Sequence, residues 1–390
     1  MIEKNITSFF IKYPEVFTYM ISIYYPFKKE SLYKYKDQID WNNISENKSI
    51  KWDRSMLRFF SGFIDWEIFS SVSSVFNEPN IIEEFNDLID WGGEEHLTGD
   101  TIASNEKLNW TTDFIKKYES KLNFHKLSLN TKLPWSEALI DKYYERWDFR
   151  LMSENEALPW SLSFFKKYFK LSDLMRLFTS INESINGNYE IVEEYKKIIG
   201  WSNICINTRL PWHEKDLLIR WKDQIDWSAI ACNDKLFQTS GFFEKNMDKW
   251  MDGPKKKFKY LSNNKRLNWS VNFIDKYYDY WDWEFLSQNP VLPWNIDFID
   301  YYASSIHWGK IALEETSLYF DEEYSSANPT ISIRYDGLNY NKGVPWSIDL
   351  INHFEDKFEI KMLRYNSAVW EKAFKPFVNE KLIDLVFRII

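Results

Sequence analysis

Between Trp135 and Trp160 the apolar positions follow a fixed pattern. With Trp135 as position zero, Leu139 and Ile140 fall at +4 and +5, Tyr143 at +8, Trp147 at +12, Phe149 at +14 and Met152 at +17. Ser153 and Asn155 follow at +18 and +20, and Leu158-Pro159 leads into Trp160. From Trp269 the same slots hold Phe273, Ile274, Tyr277, Trp281, Trp283, Leu286, Ser287, Asn289, Leu292 and Pro293, ending at Trp294. From Trp110 they hold Phe114, Ile115, Tyr118, Leu122, Phe124, Leu127, Ser128 and Asn130. Weaker copies put further zero positions at Phe27, Trp52, Asn77, Gly187, Trp212, Gln238, Asp321 and Trp346, with a half-unit from Trp370. A recurrence in this range of lengths is the signature of an array of supersecondary units.

The slots +4, +5, +8 and +12 share one face of a 3.6-residue helix, which predicts three helical turns from +2 to +12. Ser136 and Ser161 precede that helix as N-caps, and the tryptophan before each staples the entering chain onto the helix. Asp148 and Asp282, at +13, cap a second, short helix. Asn at +20 fits a left-handed residue that ends the helix, and Leu-Pro makes an extended return. The expectation is an all-α chain, a right-handed α-solenoid of about 10–13 helix pairs of about 25 residues each, long helix plus short helix. Trp52, Trp110, Trp135, Trp160, Trp212, Trp269, Trp294 and Trp346 are its structural core. The predicted organisation is a capping helix at 1–26, tandem repeats at 27–313, an irregular or degenerate repeat at 314–345, and a last repeat with a capping helix at 346–390.

Composition agrees with a folded helical array. The 390 residues are 44% hydrophobic and 19% aromatic, with 20 Trp and only 11 Gly and 12 Pro. Few Gly argues against a turn-rich β-sandwich or barrel. A net charge of −9 speaks against a protein built to grip nucleic-acid phosphates. Cys205 and Cys232 make no disulfide framework, and no stretch reads as a membrane span, so the expected location is cytoplasmic.

The recurrent residues read as architecture rather than chemistry. A repeated Asp is a cap before it is a catalytic acid. Ser163–Lys166 matches Ser-x-x-Lys only inside a repeat helix, and the five histidines form no HExxH or Cys/His cluster. No catalytic residue, cofactor or metal ligand is expected. Departures from the pattern are the better candidates, since an insertion adds nothing to stacking. They are Glu94, Glu95 and His96 after Trp91; the basic loop Lys255, Lys256, Lys257 and Lys259; and Tyr319, Phe320 and Tyr335 in the irregular region.

In general design the chain resembles helical-pair arrays such as HEAT, armadillo and tetratricopeptide proteins. Its period of about 25 residues matches none of them, so no functional residues carry over. The expected function is a non-catalytic scaffold that binds a protein or peptide partner on an extended surface. Two alternatives stand behind it. One is a small-ligand sensor or enzyme using 314–345; the other is an RNA- or DNA-binding helical repeat, which the acidic charge disfavours.

Overall fold

The computed structural model describes residues 2–93, 100–169, 188–239, 241–251, 256–309 and 337–390, and for Lys256 and Lys257 the backbone alone. Among them every regular element is helical, and most helices are short. Among the described residues no helix is long and apolar enough to cross a membrane. The chain forms two compact units, one of residues 18–246 and one that joins 1–17 to 247–390.

In the regular units the +1 residue acts as a helix cap. Ser136 Oγ accepts the Leu139 N–H, Ser161 Oγ that of Phe164, Ser270 Oγ that of Phe273 and Ser347 Oγ that of Leu350. Asp148 accepts from Arg150 and Leu151, and Asp282 from Phe285, at the start of the second helices Phe149–Met152 and Trp283–Gln288. The Trp at zero folds back through a three-residue turn: Trp135 N donates to Leu133 O at 2.8 Å, Trp160 N to Leu158 O at 2.7 Å and Trp294 N to Leu292 O at 2.7 Å. Proline, with φ fixed near −65°, fits the middle of such an inverse γ-turn. That accounts for Leu-Pro-Trp better than a simple helix stop does.

The first helices are shorter than the periodicity predicts. They span Glu137–Lys142 and Val271–Lys276, each followed by a separate 3₁₀ turn. In these two units the tryptophan at +12 joins the break. Trp147 Nε1 donates to Ile140 O at 3.2 Å and Trp281 Nε1 to Ile274 O at 3.0 Å, taking carbonyls that a continuing helix would use.

The Asn at +20 works differently from a left-handed cap. Asn47, Asn105, Asn207, Asn289 and Asn341 have φ between −65° and −73°. Each is buried, and the amides of Asn47, Asn289 and Asn341 each join three backbone groups. Asn289 Nδ2 donates to Ser262 O at 3.0 Å and Asn264 O at 3.1 Å, while its Oδ1 accepts the Val291 N–H at 3.2 Å. Asn155 bonds Ser128 O and Asn130 O; Asn233 bonds Cys205 O and Asn207 O; Asn366 bonds Asn339 O and Asn341 O. The Asn carbonyl in turn receives the indole N–H of the Trp five residues on, at 2.7 Å from Trp110, 2.9 Å from Trp135 and 2.8 Å from Trp294. The tryptophan is therefore tethered as well as packed.

A buried Ser at +18 supplies a second link. Ser45, Ser128 and Ser262 Oγ accept the backbone N–H of Asp65, Asp148 and Asp282, twenty residues later, at 2.8–3.0 Å. Cys205 stands in this slot with its Sγ 3.4 Å from Asp226 N. Burial pushes its thiol up to about 12 and that of half-buried Cys232 up to about 11, so neither is a nucleophile at neutral pH. Cys205→Ser is expected to change stability by less than about 1 kcal/mol, because serine makes this link elsewhere. Chemical denaturation checks it, and a thiol reagent at pH 8 should leave native Cys205 unmodified.

The Asn links also correct the repeat register. Asn341 Nδ2 bonds Ser287 O at 2.8 Å and Asn289 O at 3.1 Å, across more than fifty residues. The link of the unit from Trp294 thus passes directly to the Asn before Trp346. The zero position at Asp321 lies outside the described residues.

One link is missing. The unit from Trp52 ends its second helix, Trp66–Val72, on Ser73, one residue later than the pattern. Ser73 Oγ accepts the Val75 N–H as an Asn Oδ1 would, but serine has no amide to donate back. A cavity of about 20 Å³ lies there, lined by Ser45, Asn47, Trp52 and Ser73 among others, and Trp52 Nε1 is buried without a partner. Ser73→Asn is expected to fill it and stabilise the fold by about 1 kcal/mol, read as a higher urea midpoint.

Candidate functional site

Of the residues singled out as departures, Glu94, Glu95, His96, Lys255, Tyr319, Phe320 and Tyr335 lie outside the described residues. Lys256, Lys257 and Lys259 fall on a helix, Lys256–Leu261, and not on a loop. Lys259 is engaged there: its Nζ is 3.9 Å from Asp282 Oδ2 and 4.8 Å from the Phe285 ring centroid.

The bases of the two large insertions are described, and they are built alike. Both leave the chain just after the +14 tryptophan, at Trp91 and Trp308. Both are pinched by a backbone bond, Ile102 N to Asp90 O at 3.0 Å and Leu338 N to His307 O at 2.8 Å. Both turn on a glycine of positive φ, Gly92 at 70° and Gly309 at 79°. Both return through a 3₁₀ helix, Ile102–Ser104 and Leu338–Tyr340, which ends on a linking Asn. Gly337 permits the second neck to close, since a Cβ there would lie 2.4 Å from Gly309 N.

Beside the first neck lies a cleft of about 280 Å³, lined by Asn123, Phe124, His125, Glu145 and Arg146. Asn123 occupies the +13 slot of the unit from Trp110, where the neighbouring copies carry Asp. Its Oδ1 still caps the helix Phe124–Leu127. Its Nδ2 donates to Gly92 O at 2.7 Å and Gly93 O at 2.8 Å, which a carboxylate could not do. This one substitution fastens the insertion's base to the floor of the cleft.

The remaining side chains are positioned by the next unit. His125 Nδ1 is 2.9 Å from Asp148 Oδ2, while Asp148 Oδ1 caps the helix Phe149–Met152. The Arg146 guanidinium lies 3.9 Å from the Phe124 ring centroid and donates through Nη1 to Glu119 O at 2.7 Å. Phe124 packs on Trp147 and Tyr143 at 4.8 and 5.0 Å. Glu145 has no hydrogen-bond or ion-pair partner among the described residues. The cleft therefore offers a fixed cation, an imidazole nitrogen and an unspent carboxylate on a rigid aromatic floor.

The sequence reading passed over these residues because His125, Glu145 and Arg146 obey the helical pattern. The available signal was Asn123, an Asn in a slot where Asp recurs, directly after an insertion. Among the described residues no three His, Cys, Asp or Glu side chains converge as metal ligands would. Compared with protein-family models, curated proteins and solved structures, the chain matches none.

Proposed function

We propose that the chain is a protein-interaction scaffold, an α-solenoid in which tandem helix pairs form the framework, and that the cleft at Phe124, His125, Glu145 and Arg146 is a contact point for a protein or peptide partner. The carrying observation is how the side chains are spent. The recurrent Asp and capping Ser groups are consumed in backbone hydrogen bonds within a unit, and the Asn, the +18 Ser and most of the Trp groups at zero in such bonds between units. The cleft holds polar groups that the pattern does not require, one of them unpaired, next to an anchored insertion. A rigid aromatic and Arg floor with charged groups at its edge is the composition of an interface anchor.

Glu145→Lys tests this cleanly, because Glu145 holds nothing in the fold. Affinity capture with the full chain is expected to lose a partner with Glu145→Lys while the melting temperature stays unchanged. A set of captured proteins identical for wild type and variant would remove the cleft from the interface. A small-molecule reading has support from the cleft's volume, which suits a compact ligand. A thermal shift with a nucleotide or amino acid that vanishes in Glu145→Lys would favour that reading.

A further inference from the structure

The helix Ile2–Lys12 carries the unit's own pattern. Counted from Asn5, Phe9 and Phe10 fall at +4 and +5, Lys12 and Tyr13 at +7 and +8, and Phe17 at +12. The Lys-Tyr pair recurs at +7 and +8 as Lys34-Tyr35, Lys117-Tyr118, Lys142-Tyr143, Lys167-Tyr168 and Lys276-Tyr277. In each the Lys Nζ lies over its own tyrosine ring, at 4.7–5.3 Å, Lys12 included.

In the repeats this tyrosine meets an acid on the first helix of the preceding unit. Tyr143 Oη donates to Glu119 Oε2, Tyr168 to Asp141 Oδ1 and Tyr302 to Asp275 Oδ1, each at 2.8 Å. Tyr13 Oη donates at 2.6 Å to Glu355 Oε1, and Lys12 Nζ reaches the same oxygen at 2.6 Å. Glu355 is at +9 of the unit from Trp346, as Glu119 is at +9 of the unit from Trp110. Lys12, then Tyr13, hold the Glu355 carboxyl below the usual carboxylate range. Beneath this polar edge Phe9 and Phe10 pack on Phe374 at 5.4 and 4.7 Å, and Phe17 packs on Phe387 at 5.2 Å. Phe10, Phe17 and Phe374 are fully buried.

We propose that the surface bearing Glu355 and Phe374 is a helix-accepting site, filled here by residues 2–17 as if they were the unit following Trp346, and that the same segment of a second copy can fill it when the first is displaced. The recognition chemistry is a helix with adjacent phenylalanines inward and a Lys-Tyr pair reaching one carboxylate. The Tyr13-Pro14 junction separates the helix Ile2–Lys12 from Pro14–Tyr24 and gives it a pivot, the arrangement from which segment exchange between copies arises.

The test uses a labelled synthetic peptide of residues 2–17 as the helix of a second copy. The full chain carrying Phe10→Asp cannot seat its own helix and is expected to bind the peptide saturably, one to one. The wild-type chain should show no binding at the same concentrations, because its occupied site is rarely free. A peptide carrying Phe10→Asp should not bind either chain. No binding by a Phe10→Asp chain that keeps its helical circular dichroism would overturn the proposal, as would equal binding by wild type. Should Phe10→Asp fail to fold, charge reversal decides. Lys12→Glu and Glu355→Lys are each expected to lower the melting temperature and together to restore it; failure of the pair to restore it counts against the site.

Discussion

Replacing Asn289 by leucine is expected to cost about 4 kcal/mol, far more than its nearly equal volume suggests. The change strands the buried carbonyl of Ser262 and the N–H of Val291, and leaves the carbonyl of Asn264 with the Trp269 indole N–H alone. Each such group loses roughly 1–3 kcal/mol when left unpaired. Asn289→Asp should be worse at neutral pH, since it aims a carboxylate oxygen at two carbonyl oxygens. Its deficit should shrink on acidification, because the protonated acid can donate where the amide did. Urea unfolding of the three chains, followed by far-ultraviolet circular dichroism, measures the differences. A cost for leucine below about 1 kcal/mol would mean that the asparagine links carry little of the fold's stability.

Trp346→Ala is expected to cost about 3–5 kcal/mol, the range for truncating a buried aromatic. Trp346 is 2% exposed, packs against Phe358 at 5.3 Å and donates from Nε1 to Asn341 O at 2.9 Å. Trp346→Phe separates the two contributions. It retains most of the buried ring but leaves the Asn341 carbonyl short of a donor, so its cost should be about 1–3 kcal/mol. The same alanine change at half-buried Trp135 should cost less, since less surface returns to water. A denaturation midpoint for Trp346→Ala above that of Trp135→Ala would contradict this account of what the tryptophans do.

Much of the framework could be read in the residues themselves because local rules and packing agree there. Ser136, Ser161, Asp148 and Asp282 are caps in sequence terms and in hydrogen bonds. The apolar faces of the first helices are legible from a 3.6-residue period. The asparagines were misread because their role is not local. Nothing in the neighbourhood of Asn289 says that its amide reaches carbonyls some twenty-five residues back. The link from Asn341 to Ser287 and Asn289 was hidden for the same reason, since it spans more than fifty residues. The cleft was hidden because His125, Glu145 and Arg146 sit on a regular face and become neighbours only when two units stack. The segment 2–17 read as a simple cap because its partner, Glu355, is distant in sequence.

That distance has a kinetic meaning. The asparagine, serine and tyrosine links mostly join groups about twenty to thirty residues apart, so each can form soon after its own stretch of chain is available, with a small loop to close. The bond from Lys12 to Glu355 spans 343 residues. On a chain made from its amino end, Phe9 and Phe10 are synthesised long before Phe374, the ring they pack on. Until Phe374 is made, the ring that covers them is missing. Folding of the body 1–17 with 247–390 should therefore show a slow final phase that a chain carrying Phe10→Asp lacks.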